Sequence, residues 1–293
     1  MSESKDRGGK RPMVEQVAEL AMKLSGQYLA DYSANTSRHD FTQRQLMSCL
    51  ILRVYLKTTY RGVLDLLAAS AALRERLGLG DKLPHFTTLQ KFSGRSQVVA
   101  IAQIMLGRMG SLAAQKPQDN AVAMDATGLS RTTVSDYFCS RQGRKFRRWV
   151  KVSVMVLCGS LLPLALALDL EPGHDCRHAR QLLEQAQAVA RPQRLYADAG
   201  YDAEWIHQQC RDQWGVESVI QPVQRRADGK LGGKWRAQMN PKYLRNVQFG
   251  RRWAVESFFS ALKRTMGSAL NARRPDQILA EAALKVLAYS LRR

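Results

Sequence analysis

Phe249, Arg252, Glu256 and Lys263 are spaced so that one helix would gather all four on a single face. At about 100° per residue, the other three fall within roughly 40° of Glu256. A glutamate set between two long cations and an aromatic ring suits a site that handles a phosphate and a metal ion. The carboxylate offers hard oxygen ligands, and the cations meet phosphate oxygens. On the same helix Val255, Phe259, Leu262 and Met266 form an apolar stripe to one side, which puts the charged edge at the lip of a core. The alternative is a solvated helix with an ordinary Arg–Glu pair one turn apart.

Two more carboxylates stand out by context. Asp125 interrupts the apolar run AVAMDATGL, and Asp198 ends LYADAG, at the C-terminal end of a strand, where open sheets place ligands. Either aspartate alone reads as a cap, a turn former or half of an ion pair. Two strand-borne aspartates with a helix-borne glutamate follow another logic, because close carboxylates repel unless a cation compensates. Hard divalent ions are that cation. Two of them about 4 Å apart can activate a water or a 3′-hydroxyl and stabilise the leaving oxygen of an in-line phosphoryl transfer. His174, Cys176 and His178 are competent zinc ligands, but no second pair lies at a recognisable spacing. Asp175 reads as a cap for the helix that follows it.

The elements that must carry these residues change character along the chain. Residues 1–12 are a polar, basic tail, and 13–114 read as all helix. Thr42 with Gln45, and Thr87 with Gln90, have the spacing of capping boxes. Lys57, Arg61, Lys91 and Arg95 lie among these short helices, which suits a DNA reader; a dimerisation bundle has the same pattern. AQKPQDN breaks the pattern at 114–120. After it, RRWVKVSVMVLC and LLPLALALDL flank Gly159-Ser160, a two-residue hairpin signal. Helix and strand then alternate, so 119–293 is expected to form a mixed α/β sheet. Residues 221–248 interrupt that order with seven cations, Arg225, Arg226 and Lys234 among them, against only Asp228. They read as a clamp on a DNA backbone, or as a solvated loop. A second basic patch, including Arg147 and Arg148, precedes the first hairpin strand.

Composition narrows the partners. The 293 residues are 45% hydrophobic, enough for a real core, and 45 Lys+Arg against 25 Asp+Glu leave a formal charge of +20. Such an excess repels itself without a polyanion, and nucleic acid is the first polyanion to consider. No apolar run is long enough to span a bilayer, and the N-terminus lacks a signal-peptide layout. The five cysteines, without a C-x-x-C, fit reduced thiols in a cytoplasm. These features imply a soluble protein that binds a polyanion.

The chain resembles the DDE transposases of bacterial insertion sequences, whose catalytic domain has the RNase H-like fold. The likeness runs over most of residues 40–293. AMDATGL resembles the first-aspartate strand and LYADAGYD the second, while FGRRWAVESFFSALKRTMG resembles the family signature Y-x2-R-x3-E-x6-K. Phe249 stands where the family has tyrosine, so that hydroxyl's hydrogen bond to DNA is not carried over. The resemblance implies an all-α N-terminal DNA-binding domain before an RNase H-like α/β catalytic domain. It implies that Asp125, Asp198 and Glu256 are catalytic and hold two Mg²⁺ ions, with Mn²⁺ able to substitute. Arg252, Lys263, Phe249 and Arg251 would meet DNA near the scissile bond, with Arg225, Arg226, Lys234, Arg147 and Arg148 on its backbone. The partners would be double-stranded transposon ends and target DNA, bound by at least a dimer in a bacterial cytoplasm, associated with the nucleoid. A metal-dependent nuclease without strand transfer, and a non-catalytic DNA-binding descendant of a transposase, remain the alternatives.

Overall fold

The capping signal at Thr42 is realised in the computed structural model, which describes residues 11–36, 38–131, 149–171, 173–225 and 227–293. Thr42 Oγ1 accepts from Gln45 N, and Gln45 Oε1 accepts from Thr42 N, at 3.3 and 2.8 Å. That box starts α2 (Gln43–Tyr55), which is buried along nearly its whole length and packs against α1 (Met13–Tyr28) and α3 (Tyr60–Ala69). Two short helices follow, α4 (Ala71–Arg76) and α5 (Phe86–Ser93). The expected box at Thr87 is absent. α5 begins one residue earlier, so Thr87 lies inside it and its hydroxyl bonds His85 Nδ1 at 2.8 Å.

α5 is short. It breaks at Gly94, where a Cβ would lie 2.7 Å from Asp276 Oδ2, and restarts as α6 (Ser96–Ala113). One compact unit runs to Phe92 and the other begins at Ser93, so the division falls earlier than the expected break at 114–120. The reason is α6 itself. Its Gly110 lies so close to the Pro163 carbonyl that a Cβ would be 2.5 Å away, and Gln103 Nε2 donates to the Leu166 carbonyl at 2.9 Å. Helical periodicity gave α6 to the helical part; its packing gives it to the sheet.

The second unit is built on β1 (Ala121–Arg131), β2 (Trp149–Leu157), β3 (Pro163–Asp169), β4 (Arg194–Ala197) and β5 (Glu217–Ile220), in the order β3-β2-β1-β4-β5. A two-residue strand, β6 (Ala269–Leu270), pairs with the far end of β1. β1–β2 and β2–β3 are antiparallel, whereas β1–β4 and β4–β5 are parallel, so the sheet is mixed as expected. The β2–β3 turn is not the two-residue hairpin that Gly159-Ser160 suggested. It runs from Cys158 to Leu162, its left-handed residue is Leu161 (φ 57°), and Asp119 Oδ1 accepts from Gly159 N and Ser160 N.

Helices cover both faces, as the apolar run of β2 requires. α7 (Cys176–Gln187) packs on β2 and β3, and a short helix, α8 (Glu204–Gln208), precedes β5. α9 (Pro241–Asn246) lies in the basic insertion. α10 (Trp253–Met266) packs on β1 and β2, and α11 (Pro275–Arg292) follows it. Phe258 of α10 meets Tyr289 of α11 edge-on at 5.4 Å. The buried Lys285 of α11 donates to the carbonyls of Met266 and Gly267, at 2.7 and 3.0 Å, and so satisfies the end of α10. No helix among the described residues is long and apolar enough to cross a membrane.

Candidate active site

The β1–β4 register brings the two aspartates together. Ala121 pairs with Arg194 and Met124 with Ala197, so one step further Asp125 stands beside Asp198 at the same height on neighbouring parallel strands. Strands in a sheet are about 4.8 Å apart, and residues level with each other in a parallel pair share a face. β4 stops there because Asp198 turns the chain: its Oδ1 accepts from Gly200 N at 2.9 Å and caps a 3-10 turn, Ala199–Tyr201.

α10 brings the third carboxylate over the same strands. Lys263 Nζ donates to Thr127 Oγ1 at 2.6 Å, and Thr127 shares the face of Asp125, two residues along β1. Two turns of α10 before Lys263 lies Glu256, its side chain 54% exposed. Arg252 ends the 3-10 turn Phe249–Arg252 that leads into α10, and its guanidinium reaches both groups. Nη2 is 2.5 Å from Glu256 Oε1, and Nη1 is 3.8 Å from Asp125 Oδ2. The Arg252–Glu256 pair is thus the i,i+4 pair that the spacing allowed, and Asp125 extends it into the sheet.

Burial, more than neighbouring charge, raises both aspartates. Burial pushes the Asp125 carboxyl up to about 6. The Ala126 N–H, donating to Oδ1 at 2.7 Å, pulls it down, Asp198 pushes it up, Arg252 pulls it down, and Asp175 pushes it up. Asp198 is raised too, first by burial; Asp175 and Glu256 add to the rise, while the Gly200 N–H and Arg252 oppose it. Carboxylates in this state invite a cation. The donor set is oxygen alone, which fits a hard divalent ion. Among the described residues no three of His, Cys, Asp and Glu converge closely enough to hold a metal as they stand. The Arg252 guanidinium lies between Asp125 and Glu256.

The sheet thus sets Asp125 beside Asp198, with Glu256 on the helix packed over β1 and β2. The transposase DDE domain family matches residues 116–291. The chain belongs to this family. No curated protein matches it. Members of the transposase DDE family act on DNA, and the family generally uses divalent metal ions. The match leaves out α1–α6 and takes in the whole sheet, with α7, α10 and nearly all of α11.

The other expected DNA contacts fall into different situations. Phe249 is half-buried. Arg251 Nη1 donates to Asn120 Oδ1 at 3.2 Å. In the insertion, Arg225 Nη2 donates to the Asp202 carbonyl at 2.6 Å, and Lys234 lies 3.5 Å from Asp212 and over the Trp235 ring. Arg147, Arg148 and Arg226 lie outside the described residues. The insertion is tied down where a solvated loop would be loose. Asp202 grips Arg236 through both oxygens, at 2.6 and 2.7 Å, and Glu204 accepts from Trp235 N and Arg236 N. Tyr196 of β4 donates to the Val247 carbonyl at 2.8 Å.

Three residues gained meaning only from the fold. Thr127 holds Lys263, and only the α10–β1 packing reveals it. Trp253, one turn before Glu256 on α10, is 60% exposed, which is unusual for so large an apolar ring. Asp175 does not cap α7 with its side chain; it pairs with Lys151 of β2. The residues of HDCRH do not converge on a metal either. Cys176 Sγ donates to the Gly200 carbonyl, and His178 Nδ1 bonds Ser153 Oγ. Cys49, Cys158, Cys176 and Cys210 are free thiols.

Proposed function

We propose that this protein is a DNA transposase that binds the terminal inverted repeats of an insertion sequence and catalyses strand cleavage and strand transfer with Mg²⁺. The observation that carries the reading is the level placement of Asp125 and Asp198 on β1 and β4, beneath the Glu256 edge of α10. Asp125, Asp198 and Glu256 would hold two divalent ions. Once bound, such ions activate the attacking water or 3′-hydroxyl and stabilise the leaving oxygen. The same three carboxylates serve two steps: water opens the transposon end, and the freed 3′-hydroxyl then attacks target DNA. No covalent bond between protein and DNA is required.

The chain's own cations orient the substrate. Arg252 answers Asp125 and Glu256 while DNA is absent. A scissile phosphate offers it a bidentate partner in two non-bridging oxygens, and its move to that phosphate frees both carboxylates. Lys263, fixed by Thr127, holds a neighbouring phosphate. Phe249 and the exposed Trp253 supply ring faces on which an unpaired terminal base can stack. The N-terminal helices read the repeat, the insertion follows the DNA backbone, and two chains bring two ends together. The test uses duplexes ending in the inverted repeats that flank the gene. Asp125→Asn and Glu256→Gln are expected to bind them as wild type does, while Mg²⁺-dependent release of 3′-hydroxyl ends disappears. Cleavage at the wild-type rate by either variant rejects the assignment.

A further inference from the structure

Behind the carboxylates, on the face of the sheet away from Asp125, lies a buried cation that the proposed reaction does not use. Lys151 of β2 pairs in register with Gly128, whereas Asp125 pairs with Val154, so the two side chains point to opposite faces. Lys151 is 4% exposed. Its ammonium lies 2.7 Å from Asp175 Oδ1 and also donates to the Gly173 carbonyl. A charge so buried needs a partner, and Asp175 supplies it.

Asp175 Oδ2 has a second neighbour. A Cβ placed on Gly200 would lie 2.6 Å from Asp175 Oδ2 and 3.0 Å from Asp198 Oδ1, so glycine is the residue this approach admits. Gly200 N donates to Asp198 Oδ1, and the Gly200 carbonyl accepts from Cys176 Sγ at 3.1 Å. The backbone of Gly200 therefore touches Asp198 on one side and the start of α7 on the other. α7 is fixed in turn by His178, which bonds Ser153 of β2 at 2.8 Å and faces Asp169 of β3 at 3.6 Å.

We infer that the Lys151–Asp175 pair is a latch that sets the position of the Asp198 carboxylate through Gly200, an inference that rests on reading Asp198 as a metal-holding group. Lys151 and Asp175 are positioning residues that act on Asp198 through the Gly200 turn. A helix cap would direct Asp175 into the first turn of α7. A pair that merely balanced charge would have no reason to abut the turn that Asp198 begins.

The test is Mn²⁺ binding by calorimetry on the full chain, with thermal stability measured in parallel. Lys151→Met or Asp175→Leu alone leaves one buried charge unpaired, and stability falls. The double variant carries neither charge and is expected to regain the wild-type Tm. A purely structural pair would then regain full Mn²⁺ affinity as well. The latch predicts that the double variant still binds Mn²⁺ roughly 10- to 100-fold more weakly, the loss usual for residues that orient metal ligands. Wild-type Mn²⁺ affinity in the double variant overturns the latch and leaves the metal centre standing. Absence of Mn²⁺ binding in the wild type overturns the metal centre, and the latch with it.

Discussion

Arg252 and Lys263 flank the same glutamate but are held differently, and the difference sets what each does. Arg252 is engaged by Asp125 and Glu256, which the proposed reaction would need free, so its partners would change on DNA. Lys263 is held by a neutral hydroxyl, Thr127 Oγ1, which would leave it available to a phosphate in the proposed complex. Lys263→Ala is therefore expected to weaken binding to all duplexes alike and to lower the slope of log affinity against log salt by about one. Fluorescence anisotropy across a salt series measures this; an unchanged slope removes Lys263 from the phosphate contacts. Trp253→Ala is expected to cost roughly 1–3 kcal/mol of binding on ends with an unpaired terminal base, and little on blunt duplexes. Equal losses on both substrates argue against stacking. The elements that carry the three carboxylates were legible in sequence, because Asp125 and Asp198 sit in short apolar strands and Glu256 in a strongly periodic helix. Asp175 was not: a carboxylate before a helix reads as a cap, and its true partner, 24 residues earlier on β2, is set by tertiary packing.

Elements decide whether those residues meet, and here the sequence was readable wherever hydrophobic period and length agreed. The strands bearing Asp125 and Asp198, the hairpin strands between them and the helix bearing Glu256 all lie where the pattern put them. The failures are local. Leu161, not a glycine, takes the left-handed position of the β2–β3 turn, and the chain tolerates it because Asp119 organises the two N–H groups before it. In the insertion, net charge suggested a clamp, but Arg236 is structural, since Asp202 is fully buried and bound through both oxygens. Arg236→Met leaves that carboxylate without its main partner and is expected to destabilise the protein by about 3–5 kcal/mol, measured by denaturant unfolding. A loss within about 0.5 kcal/mol places Arg236 among ordinary surface cations.

The helix before β5 carries a pH dependence of its own. His207 is fully buried, its Nδ1 bonds Ser218 Oγ at 2.8 Å, and Arg211 Nε donates to the same hydroxyl at 3.0 Å. Burial, with the nearby Arg211 charge, pushes His207 down to about 4 from its ordinary 6.5. Between those values the unfolded chain binds the extra proton, so stability falls as pH drops from about 6.5 to 4 and this group adds no further loss below. The contribution is roughly 2–3 kcal/mol. His207→Gln is expected to flatten that part of the stability–pH curve; a curve of unchanged slope contradicts a neutral buried His207.

For the whole molecule, charge and architecture point the same way. An excess of 20 positive charges accompanies a chain whose second unit belongs to the transposase DDE family. The two-part organisation was visible in sequence as a switch from helical to alternating periodicity. Its boundary was not, because α6 is helical by period yet belongs to the sheet by packing, through Gly110 and Gln103 on β3. What separates a transposase from a nuclease of like fold is use of the same carboxylates twice, for cleavage and then for joining. The most direct measurement incubates the wild-type protein with Mg²⁺, paired duplex ends carrying the flanking inverted repeats, and a supercoiled target plasmid, and resolves the products by gel. The account predicts plasmid molecules covalently joined to the 3′ ends of the added duplexes, and none with Glu256→Gln. Cleaved ends that are never joined would contradict it.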